Sequence, residues 1–186
     1  MFDYSGRFQR AFPYAEFLER YGSPDQRSRW QGFHDSVTLT AQQQALLQSF
    51  SRDMKVLVLA GTWCGDCVNQ CPIFERFAEI NNRIQVRYAD RDDNPDLAAE
   101  LTTCGGARVP AVAFLSEDGY LCGRYGDRTL SKYRSIIRSL GGDACPTGLP
   151  VENDMTAAVV QDWLDEFERI QWMLRTSSRL RQLHGD

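Results

Sequence analysis

The first part of the chain carries apolar residues at helical spacing. Two helical segments can be recognised, one over residues 14–21 and one that begins at Thr40, where Gln43 three residues later gives the spacing of a capping box. The first of these helices is predicted to end at the breaker sequence of residues 22–24. Its apolar face comprises Tyr14, Phe17, Leu18 and Tyr21. Residues 1–50 are therefore predicted to form a helical N-terminal extension packed on the core.

The pattern changes near residue 53, where strands and helices begin to alternate. Residues 54–60 form a nearly continuous apolar run ended by Gly61, which is typical of a strand covered on both faces. Asp118-Gly119 is a strong hairpin signal between two later strands. Strands are predicted at 54–60, 84–89, 111–115 and 120–125, and helices from after Cys67 to residue 80, from 95 to 101 and from 130 to 140. The order β-α-β-α-β-β-α predicts an α/β fold, a mixed sheet with helices on both faces.

A third pattern follows a loop predicted at residues 141–150. It places five apolar residues on one face of a long helix: Val160, Trp163, Phe167, Ile170 and Leu174. We expect this face to pack on the N-terminal helices or on the sheet. A dimer seam is the alternative, although five positions are too few to establish a coiled coil. The predicted organisation is thus an extension over 1–50, the sheet domain over 51–142, and a loop with a long helix over 143–186.

Composition and charge narrow the functional classes. The chain has 186 residues, 42% of them hydrophobic, which suits one globular domain with helical additions. The net charge is only −4 and both signs are intermixed, so neither nucleic acid nor a membrane surface is an expected partner. Residues 1–7 lack the apolar stretch of a secretory signal, and no apolar run could cross a bilayer. We therefore expect a cytoplasmic protein.

Cysteines supply the candidate chemistry. Three of the six lie within eight residues, at 64, 67 and 71, which in a reducing compartment indicates redox chemistry or metal binding. Structural zinc normally needs two paired ligand clusters, and only one is present, while His34 and His184 have no ligand partner nearby in sequence. Iron–sulfur spacing is not matched either. We therefore predict no metal.

The remaining cysteines are less specific. Cys71 is interpreted as a small buried apolar residue, with a third redox thiol as the alternative. Cys122 falls in a predicted strand and is expected in the core. Cys104 and Cys145 fall in predicted loops, where either is a candidate regulatory thiol, and their roles stay open.

The segment Trp63-Cys64-Gly65-Asp66-Cys67, between a buried strand and a helix, resembles the active-site loop of thioredoxins. Three further features fit in the right order. Pro72 stands where thioredoxins carry the proline that kinks the active-site helix, Val109-Pro110 matches the family's cis-proline, and Gly126 matches its glycine near the site. The resemblance implies a thioredoxin-like fold with extra N-terminal and C-terminal helices.

The resemblance also implies a function, the reduction of protein disulfides by dithiol exchange. Cys64 would be the exposed nucleophile, with a pKa lowered by the helix N-terminus, and Cys67 the buried second thiol. Trp63 would form an apolar rim, and Val109-Pro110 would grip an extended substrate peptide. No cofactor is implied. The partners would be disulfide-containing proteins and an electron donor, either a thioredoxin reductase or a low-molecular-weight thiol. The alternative is a thioredoxin-like adaptor or chaperone that binds without catalysis.

Three residues depart from the thioredoxin pattern. Asp66 replaces the usual proline between the cysteines, and its charge should raise the thiol pKa values. Val58 occupies the position of the buried acid that assists proton transfer in thioredoxins, a role that Asp66 could take instead. Arg108 puts a cation beside the substrate groove, where it would either offset Asp66 or bind an acidic substrate.

Overall fold

A four-stranded mixed sheet forms the centre of the structure, a computed structural model that describes residues 2–141 and 154–186. The strands are β1 (Met54–Ala60), β2 (Ile84–Asp90), β3 (Ala111–Leu115) and β4 (Leu121–Gly126), in the order β2-β1-β3-β4. Strand β1 is parallel to β2 and antiparallel to β3, which pairs in turn with β4. The predicted α/β fold with a mixed sheet is confirmed.

The two central strands are buried because both faces of the sheet are covered. Every residue of β3 is buried, as is every residue of β1 except Lys55, whose ammonium reaches the carbonyl of Glu117 at 2.8 Å. The β3–β4 hairpin turns at Gly119, whose φ of +89° favours glycine. The hairpin predicted from Asp118-Gly119 is therefore present.

Four helices belong to the sheet domain: α5 (Gly65–Val68), α6 (Cys71–Ile80), α7 (Pro95–Glu100) and α8 (Leu130–Gly141). The single helix predicted up to residue 80 is wrong, since the helix is interrupted at Asn69 and Gln70. Pro72 lies in the first turn of α6, where the missing N–H costs nothing. It begins a second helix instead of kinking a continuous one.

The N-terminal region forms α1 (Tyr4–Arg10), α2 (Tyr14–Tyr21), α3 (Pro24–Ser36) and α4 (Ala41–Gln48). Helix α4 begins at the predicted capping box of Thr40 and Gln43. Helix α3 was not predicted, because residues 22–24 were interpreted only as a stop signal. Ser23 and Gln26 form a second capping box there, and Pro24 lies at the start of the new helix.

These helices are attached to the sheet by aromatic packing and by a β-bridge. Phe17 and Trp30, both fully buried, lie against Tyr88 of β2 with ring centroids 5.5 and 6.5 Å away. Phe12 and Tyr88 exchange two backbone hydrogen bonds of 2.9 and 2.7 Å. The extension therefore packs against the β2 side of the sheet.

The C-terminal region forms α9 (Met155–Thr176) and α10 (Ser178–His184). All five residues of the predicted apolar face are buried, at 2% exposure or less. Phe167 contacts Phe77 of α6 and Phe114 of β3, each at 5.2 Å between ring centroids. The face thus packs on the sheet domain, and the alternative of a dimer seam is wrong because these side chains are already covered within the chain.

Two expectations lie beyond or at the edge of the described residues. The loop predicted at 141–150 falls outside them except for Gly141, which ends α8, and Cys145 falls outside them as well. Among the helices that are described, none is long and apolar enough to cross a membrane.

Candidate active site

Cys64 and Cys67 lie where β1 ends and α5 begins. After Ala60 the chain turns, with the N–H of Cys64 bonded to the carbonyl of Gly61 at 3.0 Å. Cys64 is the N-cap of α5, and its carbonyl accepts the N–H of Val68 at 3.0 Å. Its side chain is half-buried, so the thiol lies at the protein surface beside the helix start.

Three thiols follow one another from this surface into the core. The Cys67 thiol is within hydrogen-bonding reach of the Cys64 thiol on one side and of the Cys71 thiol on the other. Cys67 and Cys71 are completely buried, and the backbone N–H of Gly61 also bonds to the Cys67 sulfur. All three cysteines are free. This contact with Cys71 was not expected from the sequence.

The pKa of Cys64 differs from the sequence-based prediction. It is raised, because the thiol shares a hydrogen bond with Cys67 and is partly buried; backbone N–H groups of Cys67 and Asp66 only partly oppose this. The predicted lowering is therefore wrong. Helix α5 has four residues, too few for a strong dipole. Burial also raises the pKa of Cys67, which no acid from β1 assists since Val58 is an apolar core residue.

The Val109-Pro110 loop lies directly beside Cys64. The peptide bond between the two residues is cis, as the resemblance implies, and the Cys64 thiol donates to the Val109 carbonyl at 3.5 Å. Gly126 at the end of β4 lets the loop sit this close. Its φ is +139°, and a Cβ there would lie 2.5 Å from the Pro110 oxygen, so only glycine fits.

The charges around the loop are paired differently from the prediction. The Asp66 carboxylate bonds to the Arg128 guanidinium at 2.9 and 2.8 Å. Arg108 bonds instead to the buried Asp127 at 3.4 Å, so the interpretation that Arg108 offsets Asp66 is wrong. Only the tertiary fold brings Arg128, 62 residues away in sequence, to Asp66. With its carboxylate bound to Arg128, Asp66 is also poorly suited to accept a proton from Cys67.

Two exposed side chains flank Cys64. Trp63 is 45% exposed, and the guanidinium of Arg91 lies over its ring at 4.4 Å. The Arg108 side chain is 47% exposed even though it contacts Asp127. An apolar ring and a cation are therefore both available to a partner that approaches the Cys64 thiol.

Gln70 is a residue that the sequence analysis missed. It is 3% exposed and occupies the break between α5 and α6. Its amide nitrogen donates to the carbonyls of Asp127 (3.0 Å) and Asp66 (3.2 Å), while its amide oxygen accepts the indole N–H of Trp163 (3.0 Å). Gln70 thereby connects the cysteine loop, the loop after β4, and α9. No sequence signal marks it, because two of these partners are 57 and 93 residues away.

The arrangement of the potential metal ligands bears on metal binding. Within residues 2–141 and 154–186, no group of three or more His, Cys, Asp or Glu side chains has an arrangement that would hold a metal ion. His34 contacts Asp35 and Glu79 at 3.1 and 3.0 Å, while His184 contacts Glu117. Both histidines are thus engaged with carboxylates on the protein surface.

Comparisons with known proteins agree with this architecture. A crystal structure of a protein of unknown function from Pseudomonas aeruginosa superposes with a TM-score of 0.73 at 17% identity, covering 91% of this chain and 97% of that one. An HIV epitope scaffold superposes with a TM-score of 0.65 at 19% identity, covering 87% and 98%. A search of curated proteins finds no significant match. A family model described as thioredoxin matches residues 12–135, and the chain therefore belongs to the thioredoxin family.

Proposed function

We propose that the protein is a thiol–disulfide oxidoreductase that reduces protein disulfides through Cys64 and Cys67. One observation supports this most strongly. The half-buried Cys64 thiol contacts the fully buried Cys67 thiol and, at 3.5 Å, the Val109 carbonyl of the neighbouring loop. A substrate can therefore reach the first thiol, while the second waits next to it and is shielded from solvent.

The exchange consists of two displacements. The Cys64 thiol first loses its proton to solvent. The resulting thiolate attacks one sulfur of the substrate disulfide, and the other substrate sulfur leaves as a thiolate and takes up a proton. Cys67 then loses its proton and attacks the Cys64 sulfur, which releases the second substrate thiol. Two electrons have moved to the substrate, and a Cys64–Cys67 disulfide remains. A thioredoxin reductase or a low-molecular-weight thiol would reduce it again, and the chain needs no cofactor of its own.

The direction of exchange is supported by the raised pKa values of both thiols. A thiol that ionises with difficulty is a poor leaving group, so the disulfide it forms resists reduction and its dithiol form is a good reductant. DsbA-like oxidants show the opposite case, in which a stabilised thiolate makes the protein oxidising. A reductase of this kind operates in the cytoplasm, where thiols are kept reduced.

Substrate contacts would come from the side chains around Cys64. Trp63 offers an exposed ring and Arg108 an exposed cation, while the backbone at Val109 and Pro110 runs beside the thiol. The cation favours a substrate with an acidic residue near its disulfide. Asp66 acts on the site through its own charge and through Arg128.

Reduction of insulin disulfides with dithiothreitol as donor tests the proposal. We expect the wild type to accelerate reduction and Cys64→Ser to return it to the rate of dithiothreitol alone. Cys67→Ser should accumulate mixed disulfides on Cys64, because the second displacement is lost. Cys104→Ser, which removes an exposed thiol, is the matched control and should behave as the wild type. A wild type no faster than dithiothreitol alone would favour the adaptor or chaperone function instead.

A further inference from the structure

Cys71 has a contact that packing as an apolar core residue does not require. Its thiol lies within hydrogen-bonding reach of Cys67, which also contacts Cys64. Neither Cys67 nor Cys71 has any exposed surface. The three sulfurs thus form a series in which Cys67 is the shared neighbour, able to bond to either of the other two.

The break between α5 and α6 removes the constraint that a continuous helix would place on the spacing of Cys67 and Cys71. In a continuous helix, residues four apart keep their Cβ atoms about 5–6 Å apart, whereas a disulfide needs about 3.5–4.5 Å. Between Cys67 and Cys71 the helix is interrupted, with Asn69 at φ −88°, ψ 0° and Gln70 at φ −131°, ψ −48°. Asn69 keeps a right-handed helical backbone, whereas Gln70 departs from helical dihedrals, and this departure frees the linkage from regular helical spacing. Cys71 is further anchored through its carbonyl, which accepts the Tyr88 hydroxyl at 3.0 Å.

We propose that Cys71 is a third redox thiol, which attacks Cys67 in the Cys64–Cys67 disulfide and moves the disulfide inward. This inference rests on the proposed function, which generates that disulfide. The Cys71–Cys67 bond forms, the Cys64–Cys67 bond breaks, and Cys64 leaves as a thiolate that takes up the proton lost by Cys71. The exchange is internal and conserves electrons, so no further oxidant is required.

The inward disulfide changes what the oxidised protein can do. Cys67 and Cys71 are both inaccessible, so a reductant cannot attack their disulfide directly and must act through Cys64. Cys64 meanwhile becomes a free thiol at the surface of a protein that has already been oxidised. It can then form a mixed disulfide with a low-molecular-weight thiol or capture a second protein disulfide.

Thiol mapping of the oxidised protein tests this inference. The wild type is oxidised with glutathione disulfide, quenched in acid, and blocked with N-ethylmaleimide; it is then reduced and labelled with iodoacetamide. Trypsin releases Cys64, Cys67 and Cys71 in one peptide of residues 56–76, and its fragment ions locate each label. We expect two oxidised forms, one with Cys64 and Cys67 labelled and one with Cys67 and Cys71 labelled.

Variants separate this inference from the proposed function. Cys71→Ala keeps a small apolar side chain and should lose the second form completely, while Cys122→Ala, the matched control, should retain both. Detection of the Cys64–Cys67 form alone in the wild type, together with normal insulin reduction, would overturn the role of Cys71 and leave the proposed function standing. Failure of any disulfide to form would overturn both. The wild-type map decides by itself should Cys71→Ala not fold.

Discussion

Replacement of Gln70 by methionine should destabilise the protein far more than an average substitution. Methionine keeps the length and approximate volume of the side chain, so packing is largely preserved and only the hydrogen bonds are lost. The indole N–H of Trp163 and the carbonyls of Asp66 and Asp127 would lose their partner in a site where Gln70 is 3% exposed.

The magnitude follows from those three groups. A buried polar group left without a partner costs about 1–3 kcal/mol, and carbonyls that find other donors cost less. We therefore expect a loss of about 3 kcal/mol in the free energy of unfolding. For a chain of this size each kcal/mol corresponds to about 2–4 °C in Tm, so the midpoint should fall by roughly 6–12 °C.

Thermal and urea unfolding followed by circular dichroism measure the effect. Gln42→Met is the matched control, because Gln42 is exposed on α4, and it should change stability by less than about 0.5 kcal/mol. A double-mutant cycle with Trp163→Phe should reveal a coupling of about 1 kcal/mol between the two side chains. A Tm for Gln70→Met within 2 °C of the wild type would refute the reasoning that this buried hydrogen-bond junction holds the three segments together.

Further predictions concern the site itself. Gly126→Ala should cost about 1–3 kcal/mol and slow disulfide reduction, because its Cβ would press on the Pro110 oxygen; unfolding and insulin assays showing no change would argue against the close contact. Asp66→Asn removes a negative charge beside the thiols and leaves Arg128 paired with the Asp127 carboxylate at 3.8 Å, so it should lower the pKa of Cys64 by several tenths to about one unit, which the pH dependence of alkylation measures. In the wild type the raised pKa of Cys64 keeps the thiolate fraction low at pH 7, so its alkylation rate should rise about tenfold per pH unit into the alkaline range. A rate that levels off near pH 7 would contradict this.

The sequence alone was sufficient for most of the fold. Strand β1 was visible as a continuous apolar run, and the hairpin before β4 was marked by Asp118-Gly119, because both signals depend on neighbours in the chain. The apolar face of α9 was predicted for the same reason. Local patterns failed at two places. At Pro24, a residue interpreted as part of a helix stop signal begins a new helix, and at Gln70 a helix is interrupted although no helix-breaking residue is present there.

The candidate site likewise has features that the sequence predicted and features that it did not. The Cys64–Cys67 spacing and the place of Val109-Pro110 could be recognised from residue order, since they form short motifs next to predicted elements. The pairing of Asp66 with Arg128, the contact between Cys67 and Cys71, and the raised pKa of Cys64 were decided only by the tertiary structure. Charge pairing and burial depend on distances that are set by packing between segments far apart along the chain. The contact between Cys67 and Cys71 depends on the break between α5 and α6, which no residue type in the sequence marks.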